Sequence, residues 1–462
     1  MEVVVLSDGE IVNLLDLDED HFNDIKSKRI APAKLQETLV AFANSDGGDL
    51  YVGIEDKSSQ GERIVGFAEP EEANAIISTL LEGTVPAVEN LGWDFLDTKD
   101  RGLILHFSIP KSPKVHYTAG GDCFIRVNAQ KLKIKGEKVT QLGYSKGAEL
   151  YEKKAVEDLD VDDIAESERL ASYMGRVNSA LEPKAFLRKQ RLLTKKDGEN
   201  FPNVGCVLLF DDNPQATLQT RCAVKVYRLR TTEAEYKREH LAEMPVTVNG
   251  SVEEVIAGTI KKVAEYIDGA SFMDGQKVVK LSYPAEALKE ILVNAVLHRD
   301  YSLNDDVHVR IFDNRIEIKS PGRLPGYMTV ENIYDDRFSR NPNLVRKLHN
   351  LPDPVNHDIG EGLDTAYNEL KKAGLVPPAF EEVGNSFVVT VRHQKIASVI
   401  EVIEKYFEEN PEGVINNKLI RQLSGEDDMQ KVKKALQTLR KNGKIKVVDE
   451  SANAFNVTYV KA

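Results

Sequence analysis

The chain has 462 residues, 41% of them hydrophobic and 29% charged, with a formal net charge of −13. That length exceeds one ordinary core, and at roughly 100–200 residues per domain it predicts about three domains. It holds no apolar run near the roughly 18–20 residues of a membrane span, and acid stands at its start where a signal peptide carries basic charge. Cys123, Cys206 and Cys222 are an odd set without metal-like spacing, which disfavours disulfides and zinc and points to a reducing cytoplasm. The net acidity also disfavours non-specific coating of DNA, but attraction to phosphates is local. Residues 1–20 carry seven acids and no Lys or Arg, whereas 111–138 holds seven Lys/Arg against two acids and 418–446 holds nine against three.

In chain order, a helix is predicted over 34–44 with Leu35, Leu39 and Phe42 on one face. The turn Asn44-Ser45-Asp46-Gly47-Gly48 ends it, and 49–54 alternates as a strand should. Further strands are predicted at 103–109 and 123–127, and charged, helix-prone sequence over 147–180 reads as a connector. The segments 204–210 and 222–227 are apolar, β-rich runs, followed by helices at 252–267 and 284–298. Residues 307–312 and 315–318 pair as a hairpin across Asp313-Asn314. The last 68 residues read as helix (398–410), helix (417–423), helix (427–442) and two strands (444–448 and 454–460), the order of a winged helix. The expected fold class is α/β and α+β multidomain. The expected divisions are 1–146, a connector and α/β lead-in over 147–275, a nucleotide-binding domain over 276–394, and 395–462.

The N-terminal acids invite a chemical reading. Glu19 and Asp24 precede a Lys-rich stretch, and Glu55 and Asp56 close the strand after the double glycine. Carboxylates brought together hold Mg²⁺ or Mn²⁺, which activate water for phosphodiester cleavage; the same residues are also what solvated surface acids look like. Lys111, Lys114, Arg126, Lys131, Lys133 and Lys135 lie on or beside strands, with the last three alternating onto one face. Such a face suits a nucleic-acid backbone, or serves as a solubilising edge. Asp24-Ile25-Lys26, the 41–48 segment and Val52-Gly53-Ile54-Glu55-Asp56, with Tyr117 and Phe124-Ile125-Arg126-Val127, resemble the Schlafen AlbA-2 domain over about 1–145. The resemblance implies nucleic-acid binding. Through relatives that cut RNA with an acidic triad, it also implies a metal-dependent nuclease acting as a defence effector, with catalytic Glu19, Asp24 and one of Glu55 or Asp56 (Asp56 preferred), and metal on Glu19 and Asp24. Asp24 and Ile25 stand where that signature has Glu and Phe.

On the helix at 284–298, Glu290, Asn294 and His298 recur every four residues and climb one face. An amide oxygen there can ligate a phosphate-bridging Mg²⁺, and a carboxylate one turn earlier can act as general base. Ser320-Pro321-Gly322 follows the hairpin, and Gly360-Glu361-Gly362 opens a further helix, where backbone N–H groups suit phosphate. Arg340, in Ser339-Arg340-Asn341-Pro342, either reaches phosphate or caps the helix started by Pro342. This ordered set resembles the GHKL (Bergerat) ATP-binding fold, an α/β sandwich, in its divergent RecG-like C-terminal branch, over about 155–394. The resemblance implies ATP and Mg²⁺ (or Mn²⁺), a catalytic Glu290 in a weak ATPase, metal on Asn294, and nucleotide contacts from Asn294, His298, Ser320, Gly322, Arg340, Gly360 and Gly362. The GHKL aspartate that reads adenine is replaced by Ser320.

On the third C-terminal helix, Gln430, Lys431, Lys433, Lys434 and Gln437 form an outer face. Lys431 and Lys434 are the expected phosphate contacts, though a winged helix also serves for dimerisation. The leading expectation is therefore a nucleotide-responsive, nucleic-acid-binding regulator, acting on DNA in preference to RNA. The alternative is the metal-dependent nuclease, and a homo-oligomer is left open.

Overall fold

A computed structural model describes residues 3–59, 61–274, 277–355, 362–394, 398–411, 413–424, 429–448 and 457–462. The chain is a mixed α/β multidomain protein that divides into two compact units, Met1–Glu369 with Pro378–Arg392, and Leu370–Pro377 with His393–Ala462.

The first unit opens on a five-stranded sheet ordered Val3–Val5, Gly92–Asp97, Leu103–Ile109, Gly48–Val52 and Asn23–Lys26. Its outer pairs are parallel and its inner pairs antiparallel. Alternation along the strands puts Leu50, Val52, Leu105 and Phe107 into one core with Leu35, Leu39 and Phe42 of the Pro32–Asn44 helix. Pro32 suits the first helical turn because its fixed φ is already helical and its missing N–H has no partner to lose. The hairpin Cys123–Val127 with Gln130–Ile134 packs on the same helix, and the Glu137–Lys146 helix follows.

A stretch of short helices leads to Val204–Phe210, where the structure corrects the expected β-rich run. That segment is a helix whose seven residues are all buried. Asn203 caps it by accepting from the Cys206 N–H at 3.0 Å. A continuous apolar run has neither the helical nor the strand period, so the cap and the surrounding burial decide. The other apolar run becomes the strand Val224–Arg228.

The central sheet has six strands ordered Val246–Val248, Val224–Arg228, Val307–Ile311, Arg315–Pro321, Ser386–Arg392 and Ala379–Val383. The predicted hairpin is its middle, with Val309 opposite Ile318. The helices Val252–Asp268 and Ala285–Leu297 pack on each other and on this sheet. A capping box between Ser251 and Glu254 starts the first of them.

The second unit carries the helices Val399–Glu409, Asn417–Ser424 and Met429–Lys441, and a three-stranded sheet ordered Ile415–Asn416, Thr458–Lys461 and Ile445–Val447. Ile403, Phe407, Ile420, Val432, Leu436 and Leu439 form its core. The tip between the last two strands, and the start predicted for the third helix at 427, lie outside the described residues.

Lys146 ends its helix inside the protein, 5% exposed, with Nζ donating to the Ala43 carbonyl at 2.8 Å. Burial depresses its pKa from 10.5 to about 7. Between those values the unfolded chain binds a proton that the folded chain does not, so this residue makes stability rise with pH across that window. Denaturation midpoints at about pH 7 and about pH 10 should show a smaller rise in Lys146→Met than in the wild type. An equal rise in both would contradict this account of the buried amine.

Candidate nucleotide site and nucleic-acid surfaces

A cavity of about 390 Å³ opens between the Ala285–Leu297 helix, the end of the Arg315–Pro321 strand and the start of the Gly362–Lys372 helix. It lies within the roughly 300–1,000 Å³ usual for small-molecule sites. Glu290, Asn294 and His298 project into it, because four-residue spacing keeps them on one helix face while Leu288, Leu292 and Val296 are buried. Ser320, Gly322, Arg340 and Gly362 line the same cavity. Gly360, also predicted, lies outside the described residues.

Gly362 is the closest approach of backbone to the polar row. A Cβ there would stand 2.8 Å from Glu290 Oε2 and 3.3 Å from the Asn294 side-chain amide. A side chain there would press on the ends of Glu290 and Asn294, where a carboxylate, an amide and a helix N-terminus meet. Opposite, Gly322 has φ +104°, and a Cβ on it would sit 2.6 Å from Arg340 Nη1.

The other polar residues serve the wall. Ser320 Oγ donates to the Ala295 carbonyl at 2.7 Å. The Arg340 guanidinium, 2% exposed, donates to the carbonyls of His298 (3.1 Å), Ser145 (2.9 Å) and Arg323 (2.6 Å). Of the two roles open to Arg340, the geometry therefore favours the structural one. Asn341 acts in parallel, its Nδ2 donating to the carbonyls of Leu297 and Arg299, both at 2.9 Å.

The N-terminus of the Pro342–His349 helix is already filled. Buried Glu152 accepts from the backbone N–H groups of Asn343 and Leu344, both at 2.9 Å. Burial nevertheless pushes its pKa up. The Glu152 carboxylate thus occupies the place at that helix end that an anion would take. Sequence reasoning missed Glu152, as it missed Arg323 and Glu382. Arg323 Nε donates to Glu382 Oε2 at 3.1 Å, and the Leu324 N–H to Glu382 Oε1 at 2.6 Å. No local pattern links these positions.

In the N-terminal domain the Lys26 ammonium bonds both Glu19 and Asp24, and Arg126 Nη1 reaches Asp24 Oδ2 at 2.9 Å. Burial and the neighbouring Asp24 raise the Glu19 pKa. Burial works upward on Asp24 too, but Glu19, Lys26 and Arg126 outweigh it and hold that carboxyl low. Asp56 is exposed and accepts from Ser58, and Glu55 accepts from Ser27 Oγ at 2.7 Å. Among the described residues no three His, Cys, Asp or Glu side chains form a metal-sized group.

Two of the six expected basic contacts are internal. Arg126 is 3% exposed, and buried Lys111 donates from Nζ to the carbonyls of Leu324 and Met328, both at 3.0 Å. Neither reaches a surface ligand, because charge in a sequence does not reveal burial. Lys114, Lys131 and Lys133 keep surface partners, Glu89, Glu37 and Asp122 at 2.6, 3.3 and 2.5 Å, and Lys135 is exposed. In the second unit Lys431, Lys433 and Lys434 are exposed along the Met429–Lys441 helix, opposite buried Val432 and Leu436.

Residues 19–135 match the family described as Schlafen, AlbA_2, and residues 304–391 match that described as putative ATP-dependent DNA helicase recG C-terminal. The chain thus combines a Schlafen AlbA_2 domain with a RecG C-terminal, ATPase-type domain, which relates it to nucleic acid and to ATP. The helix bearing Glu290, Asn294 and His298 stands just ahead of the second match. No curated protein matches the chain. The solved structure of the DIP2311 protein from Corynebacterium diphtheriae is 17% identical, spanning 98% of this chain and 96% of that one, with a TM-score of 0.42. Among the described residues no helix is long and apolar enough to cross a membrane.

Replacing Glu152 with Ala strips the Pro342–His349 helix of its cap and should cost roughly 1–3 kcal/mol. Urea unfolding measures it; a loss below about 0.5 kcal/mol would mean that water replaces the carboxylate without penalty.

Proposed function

We propose that this protein is a nucleotide-responsive, nucleic-acid-binding regulator of the cytoplasm, which holds ATP in the central cavity and binds DNA through its two ends. The observation that carries this reading is the meeting of Gly362, Glu290 and Asn294 inside a cavity of ligand size. The backbone at Gly362 would take the phosphates, since the competing helix end is closed by Glu152. The oxygen-bearing side chains fit a hard divalent cation: Asn294 would hold Mg²⁺, which supplies charge neutralisation of the phosphates. Glu290 is the group that would take a proton from water if ATP is turned over. His298, Ser320, Gly322 and Arg340 shape the wall around the nucleotide.

Lys114, Lys131, Lys133 and Lys135 form the proposed N-terminal contact. Exposed ion pairs are worth only about 0–1 kcal/mol, so phosphates can replace Glu89, Glu37 and Asp122 at small cost. The second unit has the helix and strand order of a winged helix, which would set the Met429–Lys441 helix against DNA. The nuclease reading is the less favoured, because Lys26 and Arg126 already neutralise Glu19 and Asp24.

Titration calorimetry with MgATP should show binding to the wild-type chain and its loss in Asn294→Ala. Undiminished affinity in that variant would remove Asn294 from the site. Lys431→Ala combined with Lys434→Ala should weaken duplex DNA binding and lower its salt slope by about 2, one per phosphate contact. An unchanged slope would remove that helix from the interface, and Mn²⁺-dependent cutting of the DNA abolished by Glu19→Ala would put the nuclease in the regulator's place.

A further inference from the structure

One wall of the cavity is the loop 322–328, which contributes Arg323, Leu324, Pro325 and Met328. Four hydrogen bonds tie this loop to residues 46–146, far away in sequence. Lys111 Nζ donates to the carbonyls of Leu324 and Met328, both at 3.0 Å, and the Gly326 N–H donates to the Lys146 carbonyl at 2.9 Å. Arg323 Nη1 donates to Asp46 Oδ2 at 2.9 Å, while its other side holds Glu382.

Asp46 belongs to the Asn-Ser-Asp-Gly-Gly turn of that domain and is itself largely buried. The same Oδ2 pairs with His21 Nε2 at 2.6 Å. His21 is next to Asp20, whose carbonyl accepts from the Arg126 guanidinium that also holds Asp24. A polar path therefore runs from the cavity wall through one ion pair to the charged centre of the nucleic-acid-binding domain.

Arg323 faces both ways: it lines the cavity and neutralises Asp46. An anion entering the cavity competes for that guanidinium, since a phosphate is a better partner for it than a carboxylate already shared with His21. We infer that a polyphosphate ligand in the cavity draws Arg323 from Asp46 and thereby weakens nucleic-acid binding by the Schlafen-like domain. This rests on the reading of the cavity as an ATP site. The carboxylate then keeps only His21 and Lys111 beside it, so the turn loses one positive charge, which opposes an incoming phosphate backbone. Because coupling between two ligands is reciprocal, nucleic acid must weaken ATP binding by the same factor.

The test uses the full chain carrying Lys431→Ala and Lys434→Ala, so that a labelled single-stranded DNA reports on the N-terminal surface. Fluorescence anisotropy should show saturating MgATP raising the DNA Kd about fivefold or more. Calorimetry should show saturating DNA raising the MgATP Kd by the same factor. Adding Asp46→Asn should abolish both effects without weakening MgATP binding, since Arg323 is then free for phosphate, and Asp46→Glu should restore them. Circular dichroism confirms that each variant is folded, and the reciprocal shift in the background chain decides the matter even where a variant is not. MgATP that binds without changing DNA affinity, or that tightens it, overturns the coupling and leaves the ATP reading standing. A response that persists in folded Asp46→Asn overturns the route through Arg323. Failure of the wild-type chain to bind MgATP overturns the ATP reading and the coupling together.

Discussion

The central cavity depends on one buried charge. Arg340 is almost wholly inside the protein and bonds three carbonyls from three places: the end of the Ala285–Leu297 helix, the loop 322–328, and the last turn of the Schlafen-like domain. A guanidinium removed from water is costly unless its donors are satisfied; both Nη groups are, while no partner among the described residues reaches the buried Nε. Gly322 exists in this arrangement to let the guanidinium pass, and Asn341 ties the same helix end from the other side. The position of Asn294 and Glu290, one and two turns back along that helix, follows from this clamp. A residue that resembles a ligand-binding arginine in the sequence thus also ties together the cavity wall.

Around that clamp the protein uses charge where a core would ordinarily use apolar packing. Asp46, Arg323, Glu382, Lys111 and Lys146 meet where the Schlafen-like domain joins the cavity wall. Burial alone would raise the Asp46 pKa, yet His21, Arg323 and Lys111 together hold it below the usual carboxylate range. Polar junctions between domains are weaker and more readily rearranged than apolar ones. Partners within such a cluster can be exchanged, whereas interlocked Leu and Phe side chains cannot be moved without opening a void.

How far the sequence reveals this depends on the range of the interaction. The amphipathic face of the Ala285–Leu297 helix, the hairpin of the central sheet and the Pro32–Asn44 helix are local patterns, and each was legible. So was the gathering of Glu290, Asn294, His298, Ser320, Gly322 and Gly362 around one cavity, because ordered motifs carry spacing. The helix at Val204–Phe210 was not legible, since seven consecutive apolar residues have no period to read. Nor were the Arg323–Asp46 pair, 277 residues apart, or the Glu152 cap on Asn343, 191 apart. Lys111 and Arg126 look like surface cations for the same reason: their partners belong to other segments, and composition alone says nothing of what covers them.

The acidic cluster shows how the same contacts separate binding from cutting. Glu19 and Asp24 stand together, as a two-carboxylate metal site would require, but each already has a cation. Lys26 lies between them and Arg126 lies behind Asp24, so two carboxyl groups meet two permanent positive charges. The cluster is near neutrality and exerts little pull on a divalent ion, and the third acid, Asp56, is turned to solvent and held by Ser58. Burial and the adjoining Asp24 raise the Glu19 pKa, while Glu19, Lys26 and Arg126 hold Asp24 low against its own burial. The exposed lysines nearby have only weakly held surface partners. Charge that is locked in the interior and charge that is exchangeable at the surface are the two observations behind the proposal of a domain that holds a phosphate backbone.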